Sequence, residues 1–307
     1  MYMGILNILS LLLLVIGVML AVAFIILLER KILSYVQIRS GPSKVSFGGL
    51  LQSLGDAVKL FIKQQTMPLT LNFFVYYLTP VLALSLCLIT WVVINWGSEL
   101  IYLGYGVLLF FCCTSFGGYV LLGAGWSSNS LYSLIGALRG IAQTISYEVS
   151  LALILISLIF LTLSYDLFFL SSSGLFWWLG LLFYPLALCF FGTLLAETNR
   201  SPFDFSEGES ELVSGFNVEY GSGGFAVLFL AEYGMIIFMS FFFSFFILGA
   251  GGVGLFCLSG GLISALFILI RSSVPSYRYD MLMDLAWKSL LPVSLLFLMY
   301  YFWVLMV

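Results

Sequence analysis

Apolar residues fall in long blocks along the chain, at about 6–28, 73–96, 100–125, 141–165, 175–196, 224–248, 252–270 and 285–306. A helix needs about 20 predominantly apolar residues to cross a bilayer core. Each block is long enough, or nearly so, to cross. Lipid-facing barrel strands alternate apolar and polar positions, and these blocks do not. The pattern predicts an all-α, polytopic membrane protein with about eight transmembrane helices in a single domain, 1–307. The first block has no basic residue before it and ends in Glu29-Arg30-Lys31. A cleavable signal needs a positive leading segment and a small-residue cleavage site, so this block is expected to stay as the first span.

One segment is neither span nor plain loop. Between Leu50 and Lys63, Leu50, Leu51, Leu54, Val58, Phe61 and Ile62 recur at helical spacing. Gln52, Ser53, Asp56, Lys59 and Lys63 fall between them. This is an amphipathic helix too short to cross, expected to lie at the membrane interface. Pro42 and Pro68 bracket it as breakers.

Composition narrows the function classes. Of 307 residues, 62% are hydrophobic and only 8% charged, against roughly 25% charged in soluble domains. A water-soluble globule, a disordered chain and a nucleic-acid binder are excluded. Histidine is absent, which removes Ser-His-Asp and Cys-His catalysis from this chain. Cys87, Cys112, Cys113, Cys189 and Cys257 all sit in apolar runs without a C-x-x-C pair. They read as small buried hydrophobes, not as a metal site or disulfide framework.

Charge placement tests the span map. With eight crossings, every lysine and arginine falls in or beside alternate connections, on one side; the opposite side carries only Glu99 and Asp166. The positive-inside bias supports the count and turns the basic side, with the amphipathic helix, toward the cytoplasm or a mitochondrial matrix. Both termini are then expected on the other side. Two connections stand out on the basic side. Segment 29–72 is basic, with Arg30, Lys31, Arg39, Lys44, Lys59 and Lys63. Segment 197–221 is acidic, with Glu197, Asp204, Glu207, Glu209, Glu211 and Glu219 against Arg200. Phe203, Phe205, Leu212, Val213 and Phe216 alternate with those acids. That mixture suggests a loop folded back into protein, although a solvated acidic loop remains the plainer alternative. Ser206 and Glu209 also fit a capping box.

Two motif matches carry no weight. Gly249, Gly251 and Gly254 satisfy G-x-G-x-x-G, but they sit in a turn between membrane blocks, with no strand before and no acid about 20 residues on. Asn199-Arg200-Ser201 is a formal glycosylation sequon on the wrong side.

Two carboxylates lie inside spans. Glu148 is nine residues past Arg139, roughly 13 Å along the helix at 1.5 Å per residue. Glu232 lies at similar depth past Gly224. A carboxylate there costs several kcal/mol unless protonated, paired or wet. Each is either a structural hydrogen bond or a member of a proton pathway. Tyr147 and Tyr233 adjoin them and could extend such a network. The residues alone suit a proton-coupled carrier or a membrane subunit of an energy-converting enzyme. No convincing internal repeat favours the carrier.

The polar motifs carry a resemblance. Leu28-Glu29-Arg30-Lys31 with Gln37-Ile38-Arg39-Ser40-Gly41-Pro42 resembles the first basic-side loop of the chain 1 family of NADH–ubiquinone oxidoreductases, the heel subunit of respiratory complex I. Ala137-Leu138-Arg139 and Ala142-Gln143-Thr144-Ile145-Ser146-Tyr147-Glu148 are similar to its fourth span. The longest match runs from Leu195-Ala196-Glu197-Thr198-Asn199-Arg200-Ser201-Pro202-Phe203-Asp204 through Glu207-Gly208-Glu209-Ser210-Glu211-Leu212 and Phe216-Asn217-Val218-Glu219-Tyr220 to Ala231-Glu232-Tyr233. Arg278-Tyr279-Asp280 and Trp287-Lys288 close it.

The resemblance implies a quinone chamber lined or supported by Arg39, Asp56, Glu197, Arg200, Asp204, Glu207, Glu209 and Glu211. It implies a proton path into the membrane through Glu148, Glu197 and Glu232. Ubiquinone would be the substrate. NADH, FMN and iron–sulfur clusters would reside in partner subunits, with no cofactor or metal held by this chain. The implied neighbours are the hydrophilic quinone-site and terminal iron–sulfur subunits, small membrane subunits and lipids of the mitochondrial inner membrane. Ser43, Gln64, Ser276 and Met281 depart from the family's usual Asn, Glu, Arg and Gln, and no role is carried to them. A related subunit of a membrane-bound hydrogenase, or a stand-alone proton-coupled carrier, would be the competing readings.

Overall fold

The computed structural model describes residues 2–94, 104–167, 184–206, 208, 212–248 and 253–306. Helices dominate, and no strand occurs among the described residues. In chain order they are α1 (Tyr2–Val36), α2 (Gln52–Ile62), α3 (Phe73–Val93), α4 (Gly106–Ser127), α5 (Leu131–Thr162), α6 (Tyr184–Glu197), α7 (Ser222–Leu248) and α8 (Val253–Ser273). The last helical stretch opens as α9 (Tyr279–Asp284), passes through a π-helical segment (Leu285–Leu290) and ends as α10 (Leu291–Met306).

Seven described helices are long and apolar enough to cross a membrane. The expected fifth span, 175–196, is described only in its second half, as α6. Two boundaries differ from the apolar blocks. α1 runs on to Val36 through Glu29-Arg30-Lys31, because Glu29 is buried and paired and does not need water there. α5 begins at Leu131, ten residues before its apolar block. Its early polar positions, Ser133 and Gln143, are buried against protein, so hydropathy does not mark that start.

The helix ends meet in a consistent pairing. Asn72 N–H at the head of α3 donates to Ser127 O at the foot of α4 (2.9 Å), and Tyr277 N–H after α8 donates to Pro202 O after α6 (3.0 Å). Tyr76 OH in α3 donates to Glu219 O just before α7 (2.9 Å). At the opposite end, Val107 N–H of α4 reaches Tyr165 O after α5 (3.3 Å). Segment 29–72, the acidic segment and residues 274–278 therefore share one end of the bundle.

Helices in lipid gain little from the hydrophobic effect among themselves, so close packing holds them together. The centre is aromatic. Phe110 stacks on Phe242 at 4.5 Å and Phe242 meets Phe246 at 4.8 Å. Gly234 of α7 lets α3 approach: an added Cβ would collide with Cys87 Sγ, and Trp91 Nε1 donates to the Gly234 carbonyl at 3.3 Å. Pro80, inside α3, cannot donate to the carbonyl four residues back. The Tyr220 hydroxyl donates to that Tyr76 carbonyl at 3.4 Å, as does the Thr79 hydroxyl. The Tyr220 ring also stacks on Tyr76 at 4.4 Å.

The acidic segment seats on α5 through two glycines one turn apart. A Cβ at Gly136 would stand 2.9 Å from Gly215 Cα and 3.0 Å from Ser206 O, and one at Gly140 3.0 Å from Ser206 Cβ. Only a bare backbone admits the loop this close. Among the described residues of the segment, Phe203, Phe205, Leu212 and Phe216 are buried while Val213 is exposed, so its described parts pack against protein.

Candidate functional site

The site grows from the turn after α6. α6 ends at Glu197, and the chain reverses through Thr198–Phe203. That reversal turns Arg200 inward, where it is 8% exposed. Its Nη2 lies 3.2 Å from Glu232 Oε2 on α7. The guanidinium also sits 4.6 Å from the Tyr233 ring centre and 5.2 Å from that of Phe229. A planar cation against two ring faces and a carboxylate is offset on several sides.

Tyr233 carries the network onward. Its hydroxyl donates to Glu29 Oε2 at 2.5 Å. The other oxygen of Glu29 accepts from Arg271. Glu29 on α1 and Arg271 on α8 thus tie two helix ends across a 242-residue separation. On the outer side, Arg30 pairs with Asp56 of α2, whose second oxygen accepts from Gln52 Nε2 at 3.1 Å. That pair ties α2 to α1, and α2 presents Leu54, Val58, Phe61 and Ile62 outward.

One cavity has Arg200 in its wall, and another has its partner Glu232. The larger, about 580 Å³, lies between the ends of α1 and α7 and the acidic segment, with Arg30, Arg200, Asp204, Tyr233, Arg271 and Tyr277 in its wall. The smaller, about 120 Å³, lies deeper, among α3, α4, α5 and α7, with Glu197, Asn199, Ser206, Glu232, Thr114 and Thr144 in its wall. Glu197 Oε2, Asn199 Oδ1 and the Ser206 hydroxyl are buried there with no hydrogen-bond partner in the structure. Three orphaned oxygens on residues that line one cavity, whose wall is otherwise mainly apolar, mark a place where water would be bound.

Glu148 stands just behind this space. It does not line the cavity; Thr114, whose hydroxyl donates to Phe111 O at 3.1 Å, does. Glu148 is close enough to act electrostatically on Glu197. Tyr147, fully buried beside it, donates to Leu282 O of α9 at 3.1 Å.

Of the residues named from sequence, Arg200 and Asp204 share the larger cavity, and Glu197 and Glu232 the smaller. Asp56 touches the larger one through Arg30. Arg39 is exposed, bonded to Gln37 Oε1 at 2.9 Å, and lines neither. Glu207, Glu209 and Glu211 lie outside the described residues, and with Glu209 so does the acidic half of the expected capping box. Sequence reasoning left out Glu29, Arg271 and Gln143. The available signal for Glu29 was an acid at the very end of an apolar run, followed by two bases. Among the described residues no cluster of three or more His, Cys, Asp or Glu could hold a metal, and the five cysteines are free thiols.

Comparison with known proteins gives concordant matches along the whole chain. A family model described as NADH dehydrogenase matches residues 9–302. The chain is 54% identical over 302 residues to NADH-ubiquinone oxidoreductase chain 1 of Anopheles gambiae, covering 98% of this chain and 96% of that one. It is 52% identical to the Locusta migratoria protein of the same name, covering 96% and 94%. With that of Lemur catta it shares 46%, over 95% and 94%.

Proposed function

This chain belongs to the NADH dehydrogenase family, and from that premise we propose how its polar interior works. It is a membrane subunit of NADH–ubiquinone oxidoreductase, respiratory complex I, a multi-pass protein of the mitochondrial inner membrane. Ubiquinone is the substrate, and the other complex I subunits are its partners. The relatives' names favour this reading over a hydrogenase subunit or a solitary carrier.

The larger cavity is the part of a quinone chamber that this chain supplies, and the smaller is the start of a proton path. Quinone reduction takes up two electrons and two protons. The electrons come from NADH through flavin and iron–sulfur clusters in partner subunits. This chain offers the headgroup a cavity wall with three guanidinium groups, Arg30, Arg200 and Arg271, suited to electron-rich carbonyl oxygens. Asp204 and the outer pair Arg30–Asp56 shape the mouth. The family resemblance alone assigns Glu207, Glu209 and Glu211 to the same chamber. Arg39 supports the same basic loop from outside.

The observation that carries the path is the placement of Arg200. It lines the larger cavity and binds Glu232, which lines the smaller. A negative quinone species in the larger cavity competes with Glu232 for that guanidinium. When Arg200 shifts toward the quinone, Glu232 loses its counter-charge and its charged form becomes costlier. Glu232, water in the smaller cavity, Glu197 and Glu148 then exchange protons in series. The basic side faces the matrix, and both termini face the intermembrane space.

Glu148→Gln tests the path, because the amide keeps the shape and removes the titration. The assembled complex is expected to oxidise NADH with a hydrophilic artificial acceptor at the normal rate. Quinone-linked turnover and proton translocation in reconstituted vesicles should both fall. Normal coupled pumping in this variant would falsify the path and leave Glu148 a structural hydrogen bond.

A further inference from the structure

Gln143 lies on α5, five residues before Glu148, and is wholly buried. Its side chain makes two long-range bonds from one amide nitrogen. Nε2 donates to Ala196 O at 2.9 Å and to Phe203 O at 2.8 Å. These two carbonyls bracket the reversal after α6. Ala196 immediately precedes Glu197, Phe203 immediately precedes Asp204, and Arg200 lies between.

The amide nitrogen fits this place, although Oε1 is buried without a partner in the structure. A helix C-terminus leaves carbonyls without intrahelical donors, and a turn adds more. Ala196 O also accepts from Asn199 N–H at 3.3 Å, so the reversal is closed from inside and pinned from α5. An NH₂ group is the smallest side-chain end with two donors in fixed geometry. A carboxylate of the same shape would face two carbonyl oxygens and repel both.

We infer that Gln143 is a positioning residue for proton transfer: by pinning both ends of the 196–203 turn to α5, it fixes Glu197 against Glu148 and Arg200 against Glu232. The inference rests on the proton path proposed above. α5 carries Glu148 and, through Gln143, also locates the elements bearing Glu197 and Arg200. One rigid helix thereby places Glu197 and Arg200 relative to Glu148, while α7 brings Glu232 to meet Arg200. Proton transfer depends steeply on such distances.

The test uses the assembled complex with Gln143→Met, which keeps the length and removes both donors. Gln143→Glu, the isosteric acid, is the second variant should the first fail to assemble. Hydrogen exchange of the 197–203 amides should rise by about tenfold, since each lost donor removes one hydrogen bond's net contribution to holding the turn. Quinone-linked turnover, normalised to NADH oxidation by a hydrophilic acceptor, should fall by about threefold or more. The number of protons moved per quinone reduced should fall with it. A merely structural defect lowers all activities together and leaves that ratio intact. Glu148→Gln is measured alongside. Loss of pumping there, with a normal ratio and turnover in either assembled Gln143 variant, overturns the positioning role alone. Normal pumping in Glu148→Gln overturns the path itself and the inference with it.

Discussion

Arg200 and Glu232 meet at 3.2 Å from two elements that approach each other only in the folded bundle, the turn after α6 and the second turn pair of α7. The guanidinium lines the larger cavity, and its carboxylate partner lines the smaller. Arg200→Ala leaves Glu232 without that counter-charge, at a cost of several kcal/mol or an obligatory proton. Quinone-linked activity should fall by about tenfold or more, and Arg200→Lys should be only partly tolerated, because lysine lacks the planar fork that fits a carboxylate and stacks on rings. Unchanged NADH–quinone activity and assembly in Arg200→Ala would sink the coupling between the cavities.

The Glu29–Arg271 pair supports a charge-reversal test. Arg271→Glu places two carboxylates together beside Tyr233 and should block assembly or nearly abolish quinone-linked turnover. The double variant Glu29→Arg/Arg271→Glu restores one charge of each sign and should recover part of the assembled complex. Yield on native gels reads the outcome. No recovery in the double variant means that the position of each charge, not the pairing, matters.

Glu148→Asp separates charge from reach. The carboxylate remains but retreats by about one methylene, so pumping should be milder in its loss than in Glu148→Gln. If the aspartate variant pumps no better than the glutamine variant, the distance to Glu197 is the controlling quantity.

Gly136 and Gly140 let the acidic segment lie on α5. Gly136→Ala forces a Cβ against the Gly215 backbone, and the expected loss is about 1–3 kcal/mol of local stability, the usual cost of overpacking. Thermal inactivation of quinone-linked activity should move to lower temperature, while NADH oxidation by a hydrophilic acceptor holds. An unshifted inactivation curve means that the loop is not seated there.

Cysteine labelling checks sidedness. Tyr105 and Phe47 are both exposed and lie at opposite ends of the bundle. A membrane-impermeant thiol reagent should reach Tyr105→Cys from the intermembrane space and Phe47→Cys from the matrix. Labelling of both from one side contradicts the crossing pattern.

The spans were legible in the sequence because a bilayer imposes a local rule. Every backbone polar group must be satisfied within its own helix, so about 20 apolar residues in a row suffice to announce each crossing. The amphipathic α2 was legible for the same reason, since its period is a local property. That Glu148 and Glu232 lie within long apolar helices also followed from counting residues along the chain, although α5 begins earlier, at Leu131. Partners did not. Glu29 and Arg271 are 242 residues apart, and Gln143 reaches carbonyls 53 and 60 residues on. Those meetings are set by helix rotation, tilt and packing distance, which depend on the whole bundle. Nothing near Arg200 in the chain distinguishes Glu232 from the acids of its own loop. Tertiary packing puts that guanidinium between Glu232 and the ring of Tyr233, where a carboxylate and an aromatic face replace water that it gives up.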